Sequence, residues 1–326
     1  MQRLNEHQIR EQVPDSVDLS LIIRKVCEDN GLPQHVAVAI FNIITFVSFD
    51  LAHNYFSMQR KTLSIRDILN IIEFMRKNKD LLSLEAAFKH AVELVIVDGV
   101  CLGIDIAGQD EKESIINDCQ QYLARVMDVV FGVNADSLKI INAEGQFVNT
   151  LQTIGVEPFM MPKKQDLLIQ NSFAFEAETT KSNLLKLIRA FTLGKPILVE
   201  GPPGVGKTAL VENLARQSGR KLIRVNLSEQ TDMMDLLGSE YPTTSSAEQD
   251  EDEDQEIQFS WCDGVLLQAI KEGHWFLIDE MNLAQQSILE GLNAILDHRR
   301  TVYIPELNRE FECHPDFFVF ACQNPS

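Results

Sequence analysis

The chain has 326 residues, 45% apolar and 24% charged, which at roughly 150 residues per domain predicts about two folded domains with real cores. Twenty-nine basic against 48 acidic side chains leave a formal charge of −19. The molecule as a whole therefore repels phosphate backbones and anionic membrane surfaces, which excludes general nucleic-acid coating. Six cysteines lie far apart with no Cys-x-x-Cys pair, so neither a zinc knuckle nor a disulfide framework is read from them, and a reducing compartment is the simplest inference.

The first hundred residues carry helical signals and almost no strand signals. The polar N-terminus MQRLNEHQIREQ is unlike a secretory leader. A run from Leu21 to Asn30 ends at Gly31, and Pro33 opens a long apolar helix. The stretch Gly31 to Phe49 lacks formal charge but carries Gln, His, Asn, Thr and Ser, and reads as a buried helix rather than a membrane span. Ser64, with Asp67 three residues on, caps a helix whose Ile65, Ile68, Leu69, Ile72 and Met75 keep core-facing spacing. Ser83 caps another, and residues 1–108 are expected to form a small helical bundle. Residues 109–169, helical in part from Ile115 to Phe131, read as a connector.

From about Gln170 helical and strand-like runs alternate, as in a parallel sheet flanked by helices. The expected series is a helix 181–191, a short buried strand 196–199, a Gly-rich turn, a helix 208–217, strands 222–227 and 275–278, a helix 287–296 and a strand 317–322. Val302 to Ile304 and Arg309 to Phe311 suggest a projecting hairpin, which serves equally as a mechanical element or an ordinary surface feature. Met233, Met234, Leu236 and Leu237 read as packing. Glu248 to Glu256 is a dense acidic run, expected to be a solvated loop.

Gly201-Pro202-Pro203-Gly204-Val205-Gly206-Lys207-Thr208 has P-loop spacing, with backbone N–H groups, Ala209 included, placed to wrap a nucleotide's phosphates at the N-terminus of the helix 208–217. In that chemistry Lys207 neutralises β and γ oxygens and the Thr208 hydroxyl holds Mg²⁺. The flanking sequences ILVE and ALVENLAR supply the strand and the helix that the mechanism requires. WFLIDE is an apolar strand ending in two carboxylates. Asp279 at its tip is expected to orient Mg²⁺ and its waters and Glu280 to polarise the attacking water, although such a pair also suits the start of a helix. Asn324, after the strand FFVFAC, is expected at the edge of the same sheet, near the γ-phosphate or the lytic water; a lone Asn is otherwise a turn residue. Arg66 is by default a solvated arginine, and His274, His298 and His314 lack the spacing of a metal site.

GPPGVGKTALVENLA, VNLSEQTDMMDLLGSE, FLIDEMNLAQQSILEGLNAILDHRRTVYIPEL and CHPDFFVFACQNP resemble a module of the midasin family of AAA+ ATPases, within the helix-2-insert branch that also holds dynein-type and MoxR-type ATPases. The resemblance covers about Ser172 to Ser326. It implies a large AAA+ domain over 170–326, sensor 1 at Asn324, and a preceding module's helical lid over 1–108 with Arg66 as its sensor 2 arginine. The junction resembles that between the fourth lid and the fifth large domain of such a ring. It further implies ATP and Mg²⁺ as ligands and neighbouring AAA+ modules, pre-60S ribosomal particles and their assembly factors as partners. Location in the nucleolus and nucleoplasm, no sequence-specific nucleic-acid binding and no membrane complete the expectation. The sequence ends soon after Asn324, ahead of the arginine finger and the module's own lid, so this stretch is expected to bind nucleotide better than it hydrolyses it. Two other expectations stand beside the ATPase: a nucleotide-binding ring module without turnover, and a dynein-type or MoxR-type relative.

Overall fold

The computed structural model describes residues 16–60, 63–101, 108–133, 145–164, 173–243, 258–297 and 299–324. Two compact units divide at residues 143 and 144.

The first unit is entirely helical among its described residues. Helix α1 (Ser16–Asp29) is followed by Gly31 at φ 69° and by α2 (Gln34–Thr45), which continues through a wider π turn to Asn54. Helices α3 (Ile65–Lys77), α4 (Leu84–Val92) and α5 (Gln109–Phe131) complete it. The cap expected at Ser64 forms, with Asp67 Oδ2 accepting from both the Ser64 N–H and its hydroxyl. Ser83 Oγ likewise accepts from the Ala86 N–H. The 21-residue helix Gln34–Asn54 is long and apolar enough to cross a membrane by composition. It packs on α1 and α5 and buries Val36, Ala39, Ile40, Ile43, Ile44, Val47 and Leu51, the behaviour of a core helix.

Residues 109–169, expected as a connector, divide between the two units. Ile115, Cys119, Leu123, Val126 and Met127 recur at helical spacing and are buried, so α5 belongs to the bundle core. Further on lies an antiparallel meander of β1 (Phe147–Asn149), β2 (Thr153–Val156) and β3 (Phe159–Pro162), packed on helix α6 (Glu178–Phe191).

The second unit carries a four-stranded parallel sheet of β4 (Ile197–Glu200), β5 (Leu222–Asn226), β8 (Trp275–Asp279) and β11 (Phe318–Gln323) in the order β4-β11-β8-β5. Helices α6 and α7 (Lys207–Gln217) pack against it, and α9 (Val265–Glu272) adjoins β8. Trp275, Phe276, Leu277 and Ile278 of the interior strand β8 are all buried, as a strand covered on both faces requires. β4 departs from expectation: it is not fully buried, and Leu198 is 47% exposed, because among the described residues β4 has a sheet neighbour on one side only.

Between β5 and β8 lie a short helix α8 (Met233–Leu237) and a hairpin of β6 (Gly238–Thr243) and β7 (Gln258–Asp263). The Asp232 and Asp235 side chains each accept the other's backbone N–H, which starts α8. The apolar stripe here packs only in part, with Leu236 buried and Met234 43% exposed. Helix α10 (Gln286–Leu296) leads to the expected hairpin, β9 (Thr301–Ile304) and β10 (Arg309–Glu312). The acidic run 248–256 and His298 lie outside the described residues.

Candidate nucleotide site

In a parallel sheet the carboxyl ends of the strands share one rim, and helix N-termini face it. β4 delivers Gly201 to that rim, and the loop 201–206 turns into α7 through Gly204 at φ 81° and Gly206 at φ 84°. These left-handed angles need residues without Cβ strain. They let the chain reverse within a few residues, so that α7 starts at Lys207 with its first N–H groups unspent.

Lys207 Nζ donates to the carbonyl oxygens of Gly201 at 2.7 Å and Pro202 at 3.0 Å, and to Asn324 Oδ1 at 3.0 Å. Asn324 follows β11, so it stands at the carboxyl end of an interior strand rather than at a side edge of the sheet. Its Nδ2 donates to both carboxylate oxygens of Glu280, at 3.2 and 3.1 Å. One amide thus joins the P-loop lysine to the acidic residue that immediately follows β8. Glu280 has φ 55° and ψ 49°, a left-handed backbone that a non-glycine residue adopts at a cost and that clusters at functional sites.

Asp279 ends β8 beside the start of α7. The Thr208 hydroxyl lies 3.3 Å from its Oδ2 and 3.5 Å from its Oδ1, long contacts between hard oxygen groups. A hydroxyl and a carboxylate set apart in this way, at the mouth of a phosphate loop, suit Mg²⁺, which takes oxygen ligands and keeps several waters. Among the described residues no cluster of three His, Cys, Asp or Glu side chains could hold a metal by itself, so this pair, completed by phosphate oxygens, is the arrangement that fits the cation. Cys322 lies beneath, its thiol pushed up to about 11 chiefly by burial.

The geometry brings together Lys207, Thr208, Asp279, Glu280 and Asn324 and sets Gly201, Pro202, Pro203, Gly204, Val205 and Gly206 in the loop, with Ala209 in the first turn of α7. Arg66 is exposed on the first turn of α3 in the other unit. Sequence reasoning missed Arg224, whose Nη2 lies 2.5 Å from Asp279 Oδ2 and whose Nη1 lies 3.1 Å from Glu212 Oε1. The hydrogen bond to Asp279 is the main reason its guanidinium binds its proton more tightly than usual. Also missed was Glu200 at the end of β4, which accepts from Gln323 Nε2 at 2.9 Å. In β5 a single arginine interrupts the apolar run LIRV two residues before the strand's end, but nothing local in the sequence names its partner.

Residues 196–326 match the AAA domain (dynein-related subfamily). Midasin of Dictyostelium discoideum is 38% identical over 278 residues, 82% of this chain and 5% of that protein. Midasin of Giardia intestinalis is 36% identical over 278 residues, 81% of this chain and 6% of that protein. An uncharacterized protein of Staphylococcus aureus (strain USA300) is 39% identical over 134 residues, 41% of this chain and 48% of its own length. The chain thus spans only a small part of the midasins it matches.

Proposed function

Because this chain is a midasin-like AAA+ module, we propose that it binds ATP with Mg²⁺ and hydrolyses it. We further propose that, as part of a longer ring-forming protein in the nucleolus and nucleoplasm, it couples that hydrolysis to remodelling pre-60S ribosomal particles and releasing their assembly factors. The carrying observation is the junction of Lys207, Asn324 and Glu280 through one amide, with Thr208 and Asp279 alongside.

The roles follow from what each group can donate or accept. The loop N–H groups and the α7 N-terminus favour a triphosphate there. Lys207 exchanges its two carbonyl partners for phosphate oxygens, where its charge is worth more. The Thr208 hydroxyl and the Asp279 carboxylate hold the cation, which when bound neutralises the charge on the β and γ oxygens. Glu280 is the proton acceptor that orients an attacking water. Asn324 senses the γ-phosphate, because an amide already touching Lys207 and Glu280 registers a change at either. The helical unit at the N-terminal side serves as the lid of a preceding module, with Arg66 its sensor 2.

The experiment is nucleotide binding and single-turnover hydrolysis by three proteins. Wild type should bind a fluorescent ATP analogue in the presence of Mg²⁺, Lys207→Ala should lose most of that affinity, and Glu280→Gln should keep binding but lose turnover, by about 10²-fold or more as removal of a general base costs. Wild-type protein that takes up no nucleotide would end this reading.

One observation favours a second reading, a nucleotide-binding ring module without turnover. Both oxygens of Glu280 are engaged by Asn324, which holds the base back from a water. Tight Mg²⁺-dependent ATP binding by the wild-type protein with no detectable single-turnover hydrolysis would select it.

A further inference from the structure

Arg224 connects three elements around the proposed metal position. Its guanidinium spans from Asp279 at the tip of β8 to Glu212 on α7. The Asp279 side chain is only 14% exposed, against 49% for Arg224 and 40% for Glu212. A carboxylate so far withdrawn from water is costly unless a cation or strong donors satisfy it. The long contacts from Thr208 supply little, so Arg224 provides the balancing charge, through the same Oδ2 that faces the Thr208 hydroxyl.

We propose that Arg224 is an intramolecular stand-in for the divalent cation: it neutralises Asp279 while no nucleotide is present and yields that carboxylate to Mg²⁺, keeping Glu212 as its resting partner. This rests on the reading above in which Asp279 faces the metal. Two features support the exchange. The second partner is already in place at 3.1 Å, so the guanidinium gives up one carboxylate without becoming unpaired. The donor side is half-exposed, so the movement is a side-chain rotation on the solvent side of the sheet rim and costs little packing. Arg224 is on this account a positioning residue that sets how much Mg²⁺ the site requires; it touches no reacting atom.

The test titrates Mg²⁺ against the full chain at a fixed concentration of a fluorescent ATP analogue and reads the Mg²⁺ concentration at half-maximal binding. Arg224→Gln should lower it by about threefold to tenfold, a partly exposed ion pair setting the scale. Arg224→Lys, which keeps the charge, should stay within about twofold of wild type on the same scale. Glu212→Gln should raise the requirement, because the arginine then has only Asp279 to hold. In the Arg224→Gln background the Glu212→Gln change should have no further effect, since what it acts through is gone. A requirement unmoved or raised in Arg224→Gln, or shifts that simply add in the double variant, would overturn the proposal. Thermal melting confirms folding, and were Arg224→Gln not to fold, the rise in Glu212→Gln decides alone, because that variant leaves Asp279 paired. Wild-type protein that binds no nucleotide would remove this inference together with the reading it rests on, whereas normal Mg²⁺-dependent binding with an unmoved Arg224→Gln removes this inference only.

Discussion

Asn324 uses both ends of its side chain, accepting from Lys207 through Oδ1 and donating to Glu280 through Nδ2. No other residue type offers that polarity at that length, and an aspartate there would set a second carboxylate against Glu280. On the function proposed, Asn324→Ala should leave ATP affinity within a few-fold and slow single-turnover hydrolysis by about 10²-fold, the usual cost of losing one positioned polar group. Equal loss of binding and turnover would instead make it a structural link. Lys207, Thr208, Asp279 and Glu280 are legible in the sequence because each sits in a contiguous motif whose strand and helix are local. Arg224 is not, because its partner Asp279 lies 55 residues away and the two meet only once β5 and β8 have paired. Its place in register opposite Leu277 puts it two residues short of the rim, which a long guanidinium covers and a sequence pattern does not reveal.

Elements were legible where their periodicity ran long enough. The helices capped by Ser64 and Ser83 and the strand WFLID stand where expected. The β1–β3 meander was missed because its strands run only three or four residues each, too few for alternation to register. The hairpin β6–β7 was missed for another reason: the sequence GSEYPT opens on glycine and carries proline, both poor strand signals. Its base is held by a close approach. Gly264, which starts α9, donates to the Leu237 carbonyl at 2.8 Å, and a Cβ there would lie 2.4 Å from the Leu236 carbonyl oxygen and 2.6 Å from the Gly238 nitrogen. Those neighbours are backbone and cannot rotate away. Gly264→Ala should therefore destabilise the second unit by about 1–3 kcal/mol, the range for overpacking, read as a lower urea midpoint with unchanged slope. An unchanged midpoint would show that the root of the hairpin opens freely.

At the scale of the whole molecule, composition already points to an acidic chain with two cores, and the structure supplies the division at residues 143 and 144. Both tryptophans, Trp261 and Trp275, lie in the second unit, so indole fluorescence reports on that unit alone. With Mg²⁺ and ATP at about a hundred times the dissociation constant, its unfolding free energy should rise by about 2.7 kcal/mol through linkage. Stabilisation that ignores nucleotide concentration would contradict specific uptake by this unit.

The order β4-β11-β8-β5 also bears on how the chain is made. β4 ends at Glu200, and its sheet neighbour β11 begins only at Phe318. During synthesis the strand that carries the phosphate loop has, among the described residues, no sheet partner until that late segment emerges, while β5 and β8 have long since been free to pair. Contacts so distant along the chain close slowly, and an unpaired strand rim exposed meanwhile invites wrong associations. The loop 201–206, proposed above to grip nucleotide, is thus among the last parts of the domain to take shape, and a nascent chain stalled before Phe318 would carry every residue of that loop without the strand that props it.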